Sequence, residues 1–293
     1  MRQVTFAVGL TALCWWATPV HAFNNARFQC PPDSVRVGNV CVDTYEASVW
    51  QIPPSNHVLV DKVQAGRATL ADLTAGGATQ LSPTPWCRPG FPANFPVGGQ
   101  WTPVPGSGPP SPGVYAVSIP GVPPSSCITW FQASQACALS GKRLLRNDEW
   151  QRAADGTPDP GTDNGTTDCN VGNTYTVSDT GSRSNCKSAW GVFDMVGNVN
   201  EWVADWADMA KDCTDWTTSA GIPGKDLSCF GGPGGAESSN IRSPAGLEGI
   251  PAALFRGGHY FDGPSAGVFM VYAGADPAFK GFQVGFRCAR QAF

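Results

Sequence analysis

The stretch GVFDMVGNVNEWVADW, residues 191–206, holds three different signals in one run. A strand-like start leads into a tight Gly197-Asn198 turn, and Trp202 and Trp206 then follow at helical spacing. The size of Trp150, Trp202 and Trp206 makes the core their expected place. Upstream, helical periodicity is confined to residues 129–155. There Thr129 caps a helix that turns Trp130, Ala133, Cys137 and Leu139 inward and stops before Gly141. Arg146 or Asn147 opens a second short helix burying Trp150 and Ala153, and Arg143 and Glu149 read as a polar link supporting the scaffold. Further upstream, CPPDSVRVGNVCVDTYEASVW, residues 30–50, alternates apolar and polar positions around Gly38-Asn39, a hairpin signature. Downstream, LFRGGHYFDG through VGFRCARQAF reads as two strands joined by a long loop.

The intervening segments are poor in regular signals. Proline and glycine dominate residues 51–126, which read as an ordered, irregular insertion tied down by Cys87 paired with Cys127. Residues 156–190 are turn-rich, and their Asp159, Asp163, Asn164 and Asp168 read as solvated. They lack the spacing and closing glutamate of an EF-hand loop. With 35 glycines, 26 prolines and only 14% charged residues, the chain reads as loop-rich, held by turns, aromatic packing and bridges rather than long helices.

Arg2, the apolar run Val4 to Ala17 and the small-x-small ending Val20, His21, Ala22 describe an export signal over residues 1–22. The run stops at Thr18 and Pro19, short of the roughly 20 apolar residues a membrane span requires, and no second apolar span follows. Export to the periplasm, the cell surface or the medium is the expectation, with residues 23–293 forming one domain. Ten of the eleven cysteines lie beyond that leader, with no CxxC pair among them, which favours disulfides over metal thiolates. Cys30 with Cys41 and Cys169 with Cys186 are spaced as local clasps, and Cys213 with Cys229 makes a third candidate; spacing alone leaves the connectivity open. The net charge of −4 and the lack of any basic run argue against nucleic acid as partner.

Three blocks in this order, GKRLLRNDEWQRAA (141–154), GVFDMVGNVNEWVADW (191–206) and FRGGHY…GFRCAR (255–290), resemble the sulfatase-modifying-factor, or formylglycine-generating-enzyme, domain. VRVGNVCVDTYEASV resembles that family's first strand pair. The resemblance implies an α+β fold, the family's variant of the C-type-lectin fold, and a Cys137–Cys288 bridge tying the C-terminal strand to the first helix. In the enzymes two cysteines after RGG hold copper and activate oxygen; at those places this chain has Asp262 and Gly267. Neither supplies the soft thiolate that Cu(I) selects. A three-histidine iron site, found elsewhere in the superfamily, is also out of reach, because beyond the leader only His57 and His259 remain. An oxidative or tailoring enzyme working through carboxylates is the second reading, with His259 more ordinarily a surface histidine than a base, and an accessory paralogue is the third.

AVSIPGVPPSSCITWFQASQACA, GTPDPGTDNGTTDCN and RGG…GPSAGVF…GFRCAR resemble more closely the variable proteins of diversity-generating retroelements. That resemblance implies a kept frame and scattered hypervariable positions within about residues 256–288, rewritten through adenines of a template. Phe261, Asp262, Ser265, Tyr272, Gly274, Phe279, Gly281 and Phe282 are reachable from AAY codons by adenine substitution. Met270, Lys280 and Gln283 are not. The implied function is binding of an unknown protein or surface ligand through the 259–283 loop. Tyr260, Phe261, Tyr272, Phe279 and Phe282 would supply aromatic contact area, with His259, Asp262, Ser265, Gly274 and Lys280 completing the surface. Phe269 and Phe286 read as core. The family also implies a structural calcium at the DMVGNVNEW turn, held by Asn198, the Val199 carbonyl and Glu201, with Asn200 replacing the family's usual tryptophan.

Overall fold

The computed structural model describes residues 29–81, 113–159, 163–208 and 251–292. The leader, Cys87, Cys213 and Cys229 lie outside the described residues, as does much of the Pro/Gly-rich stretch. The alternation read at the start forms β1 (Ser34–Val37) and β2 (Val40–Asp43), paired antiparallel about Gly38, whose φ is +62°. The Cys30–Cys41 bridge clips this hairpin.

The stretch from residue 51 onward is more regular than its composition suggests, and this corrects the irregular insertion. β3 (Ser48–Ile52), α1 (His57–Gln64), α2 (Leu70–Ala75), β4 (Thr79–Leu81) and β5 (Gly113–Val117) all fall within or against it. The local causes are visible in the residues. Asn56 accepts the Leu59 N–H to start α1, and Thr69 and Asp72 form a reciprocal capping box at α2. Leu59, Val63 and Leu73 are buried against Trp50, Ile52, Tyr115 and Val117 of the β4-β3-β5 sheet.

Two helices follow as the periodicity predicts. α3 (Trp130–Leu139) begins at a Thr129–Gln132 capping box and buries Ala133, Ala136 and Cys137. Trp130 and Leu139 are only half-buried, so the inward stripe is narrower than expected. β6 (Arg143–Leu144) is followed by α4 (Asn147–Ala153), which buries Trp150 and Ala153. The Arg143 guanidinium donates to both Glu149 oxygens, at 2.6 and 2.7 Å.

The stretch quoted at the outset folds as turn and strand. β7 (Asn200–Asp208) runs where Trp202 and Trp206 suggested a helical turn, and its register against β8 (Pro251–Gly257) shifts between those two residues. Their four-residue spacing comes from an irregular strand, not a helix. β9 (Gly267–Ala275), β10 (Val284–Phe286) and β11 (Cys288–Gln291) complete the chain. The sheets run β1-β2-β11-β6 and β10-β7-β8-β9, with β10 parallel to β7.

Strand alternation on β7 places one core on each face of its sheet. Trp202 packs with Phe255, Phe286, Ala133 and Val49; Val203 packs with Trp150, Met195, Leu145 and Leu254. β11 lies between β2 and β6, and Cys288 bonds Cys137 of α3, so the chain end locks two layers together. The bridge implied by the family resemblance and the Cys169–Cys186 clasp both form. Cys127 is also disulfide-bonded, to a partner outside the described residues.

Candidate functional site

The segment from 259 to 283 is not one loop. β9 runs through its middle as the edge of the β10-β7-β8-β9 sheet, which corrects the expectation of an irregular loop. Its burial explains why the sequence hid it: Met270, Val271, Ala273 and Ala275 are buried on both faces, so no clean alternation remains. Nine extended residues span roughly 26 Å, and β9 therefore separates two surface projections.

RGG holds the first projection. Arg256 stacks 4.7 Å over the Trp150 ring and donates to Asn147 Oδ1 and the Val268 carbonyl, pinning β9 to α4. Gly257 and Gly258 have φ of +89° and +80°, and a Cβ on Gly258 would lie 2.5 Å from Ala266 Cα. Only glycine permits that turn. Beyond it, Asp262 takes the His259 N–H and pairs with His259 Nε2 at 3.1 Å, while the Phe261 N–H donates to His259 Nδ1. At the copper-ligand positions Asp262 thus closes a small turn, and Gly267 packs against Asp159.

The second projection follows Ala275. Trp130 N–H donates to the Pro277 carbonyl and Cys127 N–H to the Gly281 carbonyl, so residues 276–283 lean on the start of α3. Beside them Trp130, Phe131 and Trp206 form an edge-to-face cluster with centroids 5.0–6.0 Å apart. Trp206 is 41% exposed, which corrects its assignment to the core, because the β7 irregularity carries it past the packed layers.

The side chains proposed for recognition divide sharply. Phe261, Phe279, Lys280 and Phe282 are exposed; His259, Asp262, Ser265, Tyr272 and Gly274 are half-buried. Tyr260 is buried, which corrects its placement on the surface: it follows the RGG turn inward, and its N–H donates to the Asn198 carbonyl. Tyr272 stacks on Phe255 at 4.5 Å and belongs largely to the core. Phe269 moves the other way, 49% exposed where core was expected, while Phe286 is buried as read.

A residue that sequence reasoning missed stands beside the first projection. The 163–178 loop is built on Asp163, whose Oδ2 accepts the N–H groups of Val171, Gly172 and Asn173. Asp163 is therefore a structural hub rather than a solvated side chain. Burial works to raise its pKa, but the N–H groups of Asn173, Gly172 and Gly165 and the charge of Arg183 outweigh it and hold the carboxyl below its ordinary range. The loop's Val171 carbonyl accepts the Gly263 N–H, and the loop sets the Tyr175 ring 4.9 Å from Phe261. Tyr175 is 65% exposed with φ of +51°.

Beneath the surface lies a closed polar cluster. Glu201 accepts Trp150 Nε1 at 2.7 Å and three contacts from Arg287, which also donates to the Asp43 and Phe193 carbonyls. Glu46 accepts Asn198 Nδ2 at 2.5 Å and the Val199 N–H, and Asn198 Oδ1 accepts Ser178 N–H and Asn170 Nδ2. Of the residues read as calcium ligands, the Asn198 and Glu201 side-chain oxygens take protein donors here, Glu201 chiefly from Arg287. Among the described residues no group of three or more His, Cys, Asp or Glu could hold a metal ion. The carboxylates that do converge, Glu46, Asp194 and Glu201, are at most 3% exposed and offer no route for a substrate. A half-open cavity of about 320 Å³, lined by Tyr45, Arg67, Leu70, Ser118 and Ile119 among others, lies away from the 259–283 segment, none of whose residues lines it.

Short strands, short helices and a disulfide-braced frame define a mixed α+β protein. The sulfatase-modifying factor enzyme 1-like domain matches residues 55–292, and the chain belongs to that family. Solved structures similar to it include the Major Tropism Determinant I1 variant, 17% identical over 89% of this chain and 53% of that one, with a TM-score of 0.42. The M1 variant is 21% identical over 56% of this chain and 37% of its own, with a TM-score of 0.36. PvdO from Pseudomonas aeruginosa is 20% identical over 86% of this chain and 80% of its own, with a TM-score of 0.40. The chain thus spans about half or less of the length of the two tropism determinants. No curated protein matches it. Among the described residues no helix is long and apolar enough to cross a membrane.

Proposed function

We propose that this protein is exported and binds a partner protein or surface ligand non-covalently, through a C-terminal segment whose outward residues are diversified on a fixed family frame. The observation that carries this reading is the division within 259–283. Phe261, Phe269, Phe279, Lys280 and Phe282 face solvent, whereas Tyr260, Met270, Ala273 and Ala275 are buried. Side chains of the first set can change at less cost to packing than those of the second, and large aromatics exposed to water are an energetic cost that recognition would recover. The positions of the lost copper cysteines hold a closed His259–Asp262 turn and a glycine, which offers no soft ligand for oxygen chemistry.

Sequencing the flanks of the gene tests this reading. A near-copy of its 3′ end, with adenines at the codons of Phe261, Phe279 and Phe282, beside a reverse transcriptase gene, supports it. Flanks with a biosynthetic cluster and no such copy would transfer the weight to the enzyme reading.

A further inference from the structure

Tyr175 lies outside the segment that the preceding reading calls diversified, yet it stands at its edge. A bulky side chain at φ +51° is an unfavourable choice that glycine or asparagine would relieve. Packing does not compensate it, since the ring is 65% exposed and its hydroxyl has no hydrogen bond among the described residues. The frame nevertheless presents it firmly, through the Asp163 hub, the Cys169–Cys186 bridge and the Gly263 to Val171 hydrogen bond. The ring leans on Phe261, itself 60% exposed, at 4.9 Å and 54°. The result is an open aromatic platform, one member fixed and the other within the diversified segment.

The two segments that supply the platform are predominantly acidic. The charged side chains of residues 159–183 and 259–268, histidine aside, are Asp159, Asp163, Asp168, Asp179, Asp262 and Arg183. Arg183 is buried and 3.4 Å from Asp163, so it offers no positive charge at the surface. Asp159 and Asp179 are exposed, and Asp262 is half-buried beside Phe261. An exposed tyrosine and phenylalanine on two segments whose accessible charges, histidine aside, are carboxylates suit a cation with an apolar stem. A guanidinium plane stacks on such rings and keeps its N–H donors for carboxylates.

We infer that the Tyr175–Phe261 platform is a recognition site for arginine or lysine side chains of a basic partner protein. The inference rests on the recognition reading for taking this end of β9 as a contact surface. It is tested by fluorescence anisotropy of the purified protein with a labelled arginine-rich decapeptide, against a glutamate-rich decapeptide of equal length. The arginine peptide is expected to bind and the glutamate peptide not. Tyr175→Ala and Phe261→Ser are each expected to weaken binding about fivefold or more, and Tyr175→Phe to leave it within about twofold. Equal binding of the two peptides, no binding of either, or binding that Tyr175→Ala and Phe261→Ser leave unchanged would overturn the inference. Those results would leave the diversified-segment reading intact, since that reading is decided by sequencing and not by this peptide.

Discussion

The Arg287 guanidinium lies 2.5 Å from the Glu201 carboxylate, and both side chains are almost wholly shut off from solvent. The pair joins the end of β10 to the start of β7, where Glu201 stands in register with Arg256, so the base of the C-terminal segment depends on it. Removing one partner leaves a buried charge without compensation, which costs about 3–5 kcal/mol. Arg287→Met is expected to lower stability by that amount in chemical denaturation. Adding Glu201→Gln to Arg287→Met is expected to recover a large share, and a double variant no more stable than the single one would contradict the pairing.

Acidity should strengthen this cluster over the neutral range. Burial raises Asp194 to about 7 and, with Lys142 and other charges acting against it, raises Asp43 to about 6. Burial, then the charges of Asp194 and Glu201, raise Glu46 well above its ordinary value. These folded pKa values exceed the unfolded ones, so the folded state binds more protons, and stability falls as pH rises through about 6 to 7. Asp33, Glu149 and Asp163 are lowered instead, and their contribution is lost only on acidification through and below the ordinary carboxylate range. Thermal unfolding is expected at a higher temperature near pH 5.5 than near pH 8. Asp194→Asn, which keeps a residue tolerant of its φ of +59°, is expected to flatten that slope; an unchanged slope would remove Asp194 from the account.

Within the C-terminal segment, exposure sorts positions that sequence treats alike. Phe261→Ser and Phe269→Ser are expected to change stability by no more than about 0.5 kcal/mol. Tyr260→Ser, which empties a buried site, is expected to cost about 3 kcal/mol. Comparable losses at Phe261 and Tyr260 in urea titration would show that the outward set also supports the fold.

Calcium gives a direct contrast with the family expectation. Because Asn198 and Glu201 are committed to protein donors, a chelator is expected to leave the unfolding temperature within about 1 °C, since a ligand stabilises a fold only by binding it. A fall of several degrees, reversed by added calcium, would show that the turn rearranges around an ion.

Much of the frame was legible because it rests on local rules. Gly38-Asn39 between alternating residues specifies the hairpin, and Thr129 with Gln132 marks the start of α3. α1 and α2 carry equally good caps at Asn56 and Thr69 but are embedded in proline and glycine, whose composition outweighed them. β9 was hidden for a different reason: Gly267, Ala273, Gly274 and Ala275 give little hydrophobic contrast, and its neighbours bury both faces. Exposure of Trp206, Phe269 and Phe131 is set by a strand irregularity and a helix start that periodicity cannot locate. Tyr175 left one faint signal, a lone aromatic in a polar turn-rich stretch. Only its contact with Phe261 gives that signal meaning.

The central claim is tested most directly by sequencing the codons from Gly258 to Gly285 across many sibling cells. The account predicts substitutions at adenine-templated codons whose side chains face outward, including Phe261, Phe279 and Phe282, while Tyr260, Met270 and Gly285 stay constant. An invariant segment, or changes scattered equally over buried and exposed positions, would contradict it.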